Sequence, residues 1–444
     1  MLAILGGGIA GLAAAAEADR LGLSYQLFEA TSEFGGNART FEVDGFRFDA
    51  GAHRLHDRNS AVTTRVNEWL EGDMAEVHAP SRIRHGDTYL DFPLTPGNLL
   101  RRLKPGEGAR ALASYALARI ANRRKARNFQ ELCYSRFGRA LADPFLIRYS
   151  EKLWGAPASE LSTEIAGRRL DALSLRSLFV QRAEPAHLEG SFFYPTRGIG
   201  AIAEALAKGC SPGSLHTGHA ITAMEHDGRR VREIVLNGQT RVPVHHVIST
   251  LPLAQQSRLM RPAPKARLMD AAAGLLYRHV IVVAVFLKRS QKSRYASTYY
   301  PDADVPFTRV HEPNARSAAM SPEGCTSLVA ELVRFETDAD WTRSDADLVA
   351  EVTRALARTG ALEPDEIVGH AVRRLRNAYP VLRTEDVLHA HSLRESQTRL
   401  SNLELVGRAA TFRYLHIHDL IGSALASVQR IAGEDREQFL EVAS

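Results

Sequence analysis

The chain has 444 residues, 45% hydrophobic and 24% charged, with 56 Lys and Arg against 51 Asp and Glu for a net charge of +5. That is the composition of a folded globular protein, which excludes disorder and fibrous structure, and the mild positive balance suits an anionic small substrate without supporting a nucleic-acid-binding role. The longest apolar run, Val280 to Leu287, is far short of the ~20 residues that span a bilayer, so no transmembrane anchor is expected.

Ala3-Ile4-Leu5 reads as a buried strand that runs into Gly6-Gly7-Gly8-Ile9-Ala10-Gly11 and then into the strong helix former Leu12-Ala13-Ala14-Ala15-Ala16-Glu17-Ala18. This is strand, tight turn and helix with G-x-G-x-x-G at the junction. Gly6 permits the turn, Gly8 lets a pyrophosphate reach the backbone, and Gly11 lets helix and strand pack closely. The helix start, from Ile9 and Ala10 onward, offers its N–H groups to phosphates. The motif alone also marks ordinary tight turns, but here Tyr25-Gln26-Leu27-Phe28 reads as a second strand ending in Glu29, 18 positions after Gly11. An acid at that distance accepts hydrogen bonds from ribose hydroxyls. The opening residues carry no basic n-region and no cleavage site, so a secretory precursor is not expected. Cys133, Cys210 and Cys325 are too few and too scattered for a disulfide framework and fit a reducing cytoplasm.

No repeat of fixed period appears. A helical stretch follows, roughly residues 95–179, rich in Ala, Leu and Arg, with Leu112, Tyr115, Ala116 and Ile120 at helical spacing. Short β runs, Arg230 to Leu236 and Val242 to Thr250, alternate with the turn signals Asp227-Gly228 and Asn237-Gly238. A mixed segment from about 277 to 380 carries the Val280 to Leu287 strand, a Ser327 to Arg334 strand and an amphipathic helix over Asp345 to Arg358. A stretch from about 402 to 432 completes the nucleotide-binding unit. His245-His246 and His416-x-His418 are rejected as metal sites, since no carboxylate or Cys cluster accompanies them. There is no G-x-S-x-G nucleophile elbow and no P-loop Lys. The cluster Arg119, Arg123, Arg124, Lys125 and Arg127 reads first as a solvated helix face, with contact to acidic lipid or to a phosphorylated substrate entering the cleft as the alternatives.

After Glu29 the chain continues with Gly35-Gly36-Asn37-Ala38-Arg39 and then Gly51-Ala52-His53. Here it resembles the FAD-binding families that include amine oxidases, protoporphyrinogen oxidases and UDP-galactopyranose mutases. The likeness is nearest to the mutase branch in blocks spread along nearly the whole chain: Ser81-Arg82-Ile83 through Leu94, Arg136-Phe137-Gly138-Arg139, Tyr149 to Gly155, Phe193 to Gly198, Tyr299 to Arg309, and Gly407 to Tyr414. The resemblance implies FAD held by Gly6, Gly8, Ile9, Ala10, Gly11, Glu29, Gly35, Gly36, Asn37, Arg39, Gly51, Ala52, Arg408 and Asp419. It implies His53 beside the flavin and a substrate diphosphate held by Arg169, Arg309, Tyr379 and Tyr414, with His53, Arg169 and Arg309 as catalytic residues. Guanidinium forks and phenol hydroxyls are chemically suited to phosphate oxygens.

Two departures stand out. The family's G-G-H is Gly51-Ala52-His53 here, and the polar pair before the C-terminal acid is Ile417-His418 ahead of Asp419. The expected fold is α/β. A Rossmann-like FAD domain is assembled from residues 1–94, 190–276 and 381–444, with a helical insertion at 95–189 and a β-sheet substrate domain at 277–380. The expected activity is pyranose/furanose isomerisation of a nucleotide-diphosphate sugar through flavin N5. The alternative is hydride transfer from a C–N, C–O or C–C bond to FAD.

Overall fold

The computed structural model describes residues 1–92, 94, 96–120, 125–166 and 191–443, with side chains as far as 433 apart from that of Pro96. At its centre is a five-stranded sheet in the order β20 (Leu403–Leu405), β13 (His246–Ser249), β1 (Leu2–Leu5), β2 (Tyr25–Phe28) and β9 (Leu215–His216). Every neighbouring pair runs parallel. Three chain stretches therefore build one doubly covered parallel sheet, the arrangement expected of a nucleotide-binding α/β fold. Alternation along β1 explains the two coverings. Leu2 and Ile4 face the helical side with α1 (Ile9–Arg20) and the C-terminal helix Ile417–Ala443, while Ala3 and Leu5 face Met224, Val231 and Ile234 of a small, largely antiparallel sheet. The alanines of α1 let the C-terminal helix approach closely, and Glu17, 2% exposed, accepts from Arg20 at 2.6 Å and from Gln429 at 2.9 Å.

A second, seven-stranded sheet has the order β19 (Ile367–Pro380), β15 (Tyr277–Leu287), β18 (Thr326–Arg334), β17 (Arg309–His311), β16 (Ser297–Tyr299), β6 (Ser81–His85) and β7 (Thr88–Phe92). All eleven residues of β15 are buried. Val282, Ala284 and Phe286 pack toward Phe46 and Phe48, and Val283 and Val285 pack toward Leu348, Val352 and Leu356 of the helix Asp345–Arg358. Burial on both faces is why this strand reads as an unbroken apolar run.

Two boundaries differ from the expected ones. The first nucleotide-binding segment was drawn to residue 94, but the β6–β7 hairpin belongs to the second sheet, where β6 pairs in parallel with β16. A hairpin is legible locally, whereas its third partner lies more than 200 residues on. The run Val242 to Thr250 is divided: β12 (Thr240–Pro243) closes the small antiparallel sheet, and β13 enters the parallel one. The helical insertion contains α3 (Pro96–Arg102), α4 (Pro105–Ile120), and the helices Phe129–Phe137 and Arg148–Trp154. Its last part, with Arg169, lies outside the described residues, as do Arg123 and Arg124.

Candidate active site

The glycine loop sits between β1 and α1. Gly6 has φ +102°, a conformation side chains resist, and a Cβ there would strike Thr250 Oγ1. A Cβ on Gly11 would strike the carbonyl oxygen of Gly6, so the third glycine sets how closely helix and strand approach. Gly8 differs: a Cβ there meets nothing within 4 Å, leaving an open cradle at the helix start. Gly8 is the N-cap of α1 with no side-chain cap, and the first turn holds no acid, so its N–H groups face that opening unpaired by side chains. Ile9 and Ala10 are buried and offer only their backbone.

Glu29, at the end of β2, accepts from Gly7 N–H at 2.7 Å and from Thr31 N–H at 2.9 Å. The second glycine pair docks on the first: Gly35 N–H donates to Gly7 O at 2.8 Å and Gly35 bridges to Gly8. Arg39 donates to Gly36 O at 3.0 Å and pairs with Glu33. Asn37 instead donates to Arg376 O of β19 at 2.9 Å, tying this loop to the second sheet.

Strand register assembles the other half. Tyr299, Arg309, Glu331 and Val282 are consecutive cross-strand partners on β16, β17, β18 and β15. Glu331, 1% exposed, holds Arg309 through two bonds, from Nε at 3.0 Å and from Nη2 at 2.5 Å, and accepts the Ala52 N–H at 2.8 Å. One buried carboxylate thus fixes both the Gly51–His53 loop and the arginine. Burial opposes the Arg309 charge, but the adjacent Glu331 outweighs it and raises its pKa well above the ordinary range.

Tyr379, near the end of β19, and Tyr414 lie with rings 6.0 Å apart and nearly parallel, and the Arg408 guanidinium lies 5.5 and 5.1 Å from their centroids. Trp154 meets both rings edge-on. Burial raises the pKa of Tyr379, keeping its hydroxyl a donor. Burial and the charges of Arg408, Arg309 and Arg316 push His53 down to about 3, so its imidazole is neutral at pH 7. Its Nδ1 is buried and has no partner among the described residues.

The structure therefore brings together His53, Ala52, Arg309, Tyr379, Tyr414 and Arg408. Arg408 gives three donors to the main chain, two to Leu415 O and one to Ala378 O at 3.0 Å, bracing the tyrosine-bearing segments while leaving two of its five N–H groups. Asp419 spends its carboxylate on the start of its own helix, accepting from His416 N–H at 2.9 Å beside His418; burial would raise its pKa, but these partners hold it near 2. Glu331 was missed in the sequence, although a lone acid inside the apolar run Leu328 to Val333 is a visible signal, since buried acids require partners. Arg316, placed between the His53 carbonyl and Asp49, carried no such signal.

Residues 9–432 match the model of the flavin containing amine oxidoreductase family, and the chain belongs to that family. Among curated proteins it is 25% identical over 412 residues to a zeta-carotene-forming phytoene desaturase of Myxococcus xanthus, covering 82% of this chain and 78% of that protein. Among solved structures it is similar to a reduced UDP-galactopyranose mutase (TM-score 0.84, 21% identity, 97% of this chain and 95% of that one). It is also similar to a putative protoporphyrinogen oxidase from Exiguobacterium (TM-score 0.77, 20% identity, 98% of each). The protein is an FAD-dependent flavoenzyme of the amine oxidase superfamily. The residues fit that cofactor: the cradle at Gly8 is open, the α1 start is uncapped, and the orphaned His53 Nδ1 awaits a partner.

Proposed function

We propose that this flavoenzyme acts at flavin N5 on a nucleotide-diphosphate-sugar-like substrate and interconverts its pyranose and furanose rings. The observation that carries this reading is the meeting of Arg309, Arg408, Tyr379 and Tyr414 beside the Gly51–His53 loop. When bound, FAD in its reduced form would supply a nucleophilic N5 toward the anomeric carbon. Arg309, whose Nη1 donors are not used by Glu331, and the protonated Tyr379 hydroxyl stabilise the departing diphosphate through charge-assisted hydrogen bonds. Neutral His53 offers a hydrogen bond without adding a charge, and the Tyr379–Tyr414–Trp154 wall excludes water. Arg169 stands as a second diphosphate ligand by resemblance alone.

A second reading, hydride transfer from substrate to FAD, has its own support. Glu331 compensates the Arg309 charge, which suits a less anionic substrate, and the desaturase relative is an oxidoreductase. One experiment separates the two. Holoenzyme, oxidised and then dithionite-reduced, is incubated anaerobically with UDP-galactopyranose and the ring forms are resolved by chromatography. Conversion by the reduced enzyme alone, with no electrons consumed, is the expected result. Failure of the reduced enzyme to convert it, with bleaching of the oxidised enzyme by an amine, alcohol or polyene, favours hydride transfer.

A further inference from the structure

We infer that the outward face of α4 docks on the surface of an anionic lipid bilayer. The inward face of this helix already meets the needs of the fold: Gly108 and Ala111 are buried, and Leu112 and Tyr115 pack against the core. The opposite face should then be polar, as on an ordinary surface helix. It is not. Ala109, Ala113, Ala116, Leu117 and Ile120 recur at helical spacing and all are exposed, Leu117 at 69% and Ile120 at 83%. Of the six large hydrophobic side chains exposed among the described residues, these two and Leu100 of neighbouring α3 make up half. Such a concentration is the mark of an interaction surface, since single exposed leucines are scattered.

Charge identifies the partner. Arg110 and Arg119 line the two borders of the apolar stripe, and Arg101, Arg102 and Lys104 stand beside Leu100 at the α3–α4 junction. Glu107 is the one acid over residues 97–120, and Arg102, Lys104 and Arg110 have no carboxylate partner among the described residues. A narrow apolar stripe flanked by long cationic side chains matches the boundary between acyl chains and acidic headgroups, where the arms of Arg and Lys reach outward to phosphate. Attachment is to the surface, because no helix among the described residues is long and apolar enough to cross a membrane.

The test sediments flavin-loaded protein with vesicles of phosphatidylcholine alone and of phosphatidylcholine mixed with phosphatidylglycerol, at low and high salt. Wild-type protein is expected to bind the anionic vesicles and to be weakened by salt. Leu117→Ser with Ile120→Ser, and separately Arg110→Glu with Arg119→Glu, should each lower binding at least about tenfold while keeping the flavin spectrum and circular dichroism. The inference is overturned if wild-type protein stays in the supernatant with anionic vesicles at low salt, or if both double variants bind as wild type does. It is equally overturned if gel filtration shows an oligomer that Leu117→Ser with Ile120→Ser dissociates, with no vesicle binding. The face would then be a protein interface.

Discussion

Glu331 is the residue that ties the Gly51–His53 loop to Arg309. It is nearly inaccessible, pairs with Arg309 through two hydrogen bonds, and holds the Ala52 N–H in place. Removing one partner of such a pair strands the other charge in a poorly solvated site, so Glu331→Ala should lower stability by about 3 kcal/mol in urea unfolding. Glu331→Gln, which keeps a hydrogen-bonding oxygen but not the charge, should cost less; equal losses would mean that the hydrogen bonds add nothing beyond the charge pairing. The pair was half legible. Arg309 emerged through family blocks, but its link to an acid 22 residues away exists only through the register of β17 against β18. His53 gives a pH prediction. Its folded pKa, near 3, lies below the ordinary histidine value, so the unfolded chain takes up a proton first as pH falls. The resulting loss of stability begins below about pH 6.5 and grows toward pH 3. Melting temperatures of wild type and His53→Gln at pH 7 and pH 5 check this: the variant should lose less over that interval, and an identical loss would remove His53 from the acid sensitivity of the fold.

The strand–turn–helix unit formed by β1, the glycine loop and α1 was almost entirely readable, because its determinants are local. The glycines do different jobs, and the structure separates them. A methyl at Gly11 collides with Gly6 O in the folded chain itself, whereas a methyl at Gly8 enters open space. Gly11→Ala should therefore destabilise the protein by about 1–3 kcal/mol, the cost typical of overpacking. Gly8→Ala should fold with unchanged circular dichroism yet emerge from purification with little flavin, because the methyl occupies the approach of the pyrophosphate. Normal FAD occupancy in Gly8→Ala would show that the phosphates lie elsewhere. The helix Asp345–Arg358 lies where an amphipathic helix was expected, since Ser344 caps it, accepting from Asp347 N–H at 3.1 Å, and its apolar stripe is regular. In α4 the same periodicity revealed a helix but not which side it buries. Ala116 and Ile120, which marked the pattern, point outward.

The molecule as a whole joins two sheets built from interleaved stretches of chain. That interleaving is why the parallel sheet was foreseen while the β6–β7 hairpin was assigned to the wrong sheet: turn residues specify a hairpin, and long-range pairing decides where it docks. Two loops of the nucleotide-binding half are tied to the second sheet, Asn37 to Arg376 O and Ala52 to Glu331, so the two halves are held in fixed relation. Function at this level depends on whether the aromatic and arginine wall recognises a diphosphate. The direct measurement is calorimetric titration of UDP into dithionite-reduced holoenzyme and into a Tyr379→Phe/Tyr414→Phe variant that loses only two hydroxyls. The mutase reading predicts saturable binding by wild type and at least about tenfold weaker binding by the variant, as expected for losing hydrogen bonds to a charged ligand. Absence of UDP binding by the reduced wild-type enzyme, or equal affinity in both proteins, would contradict it.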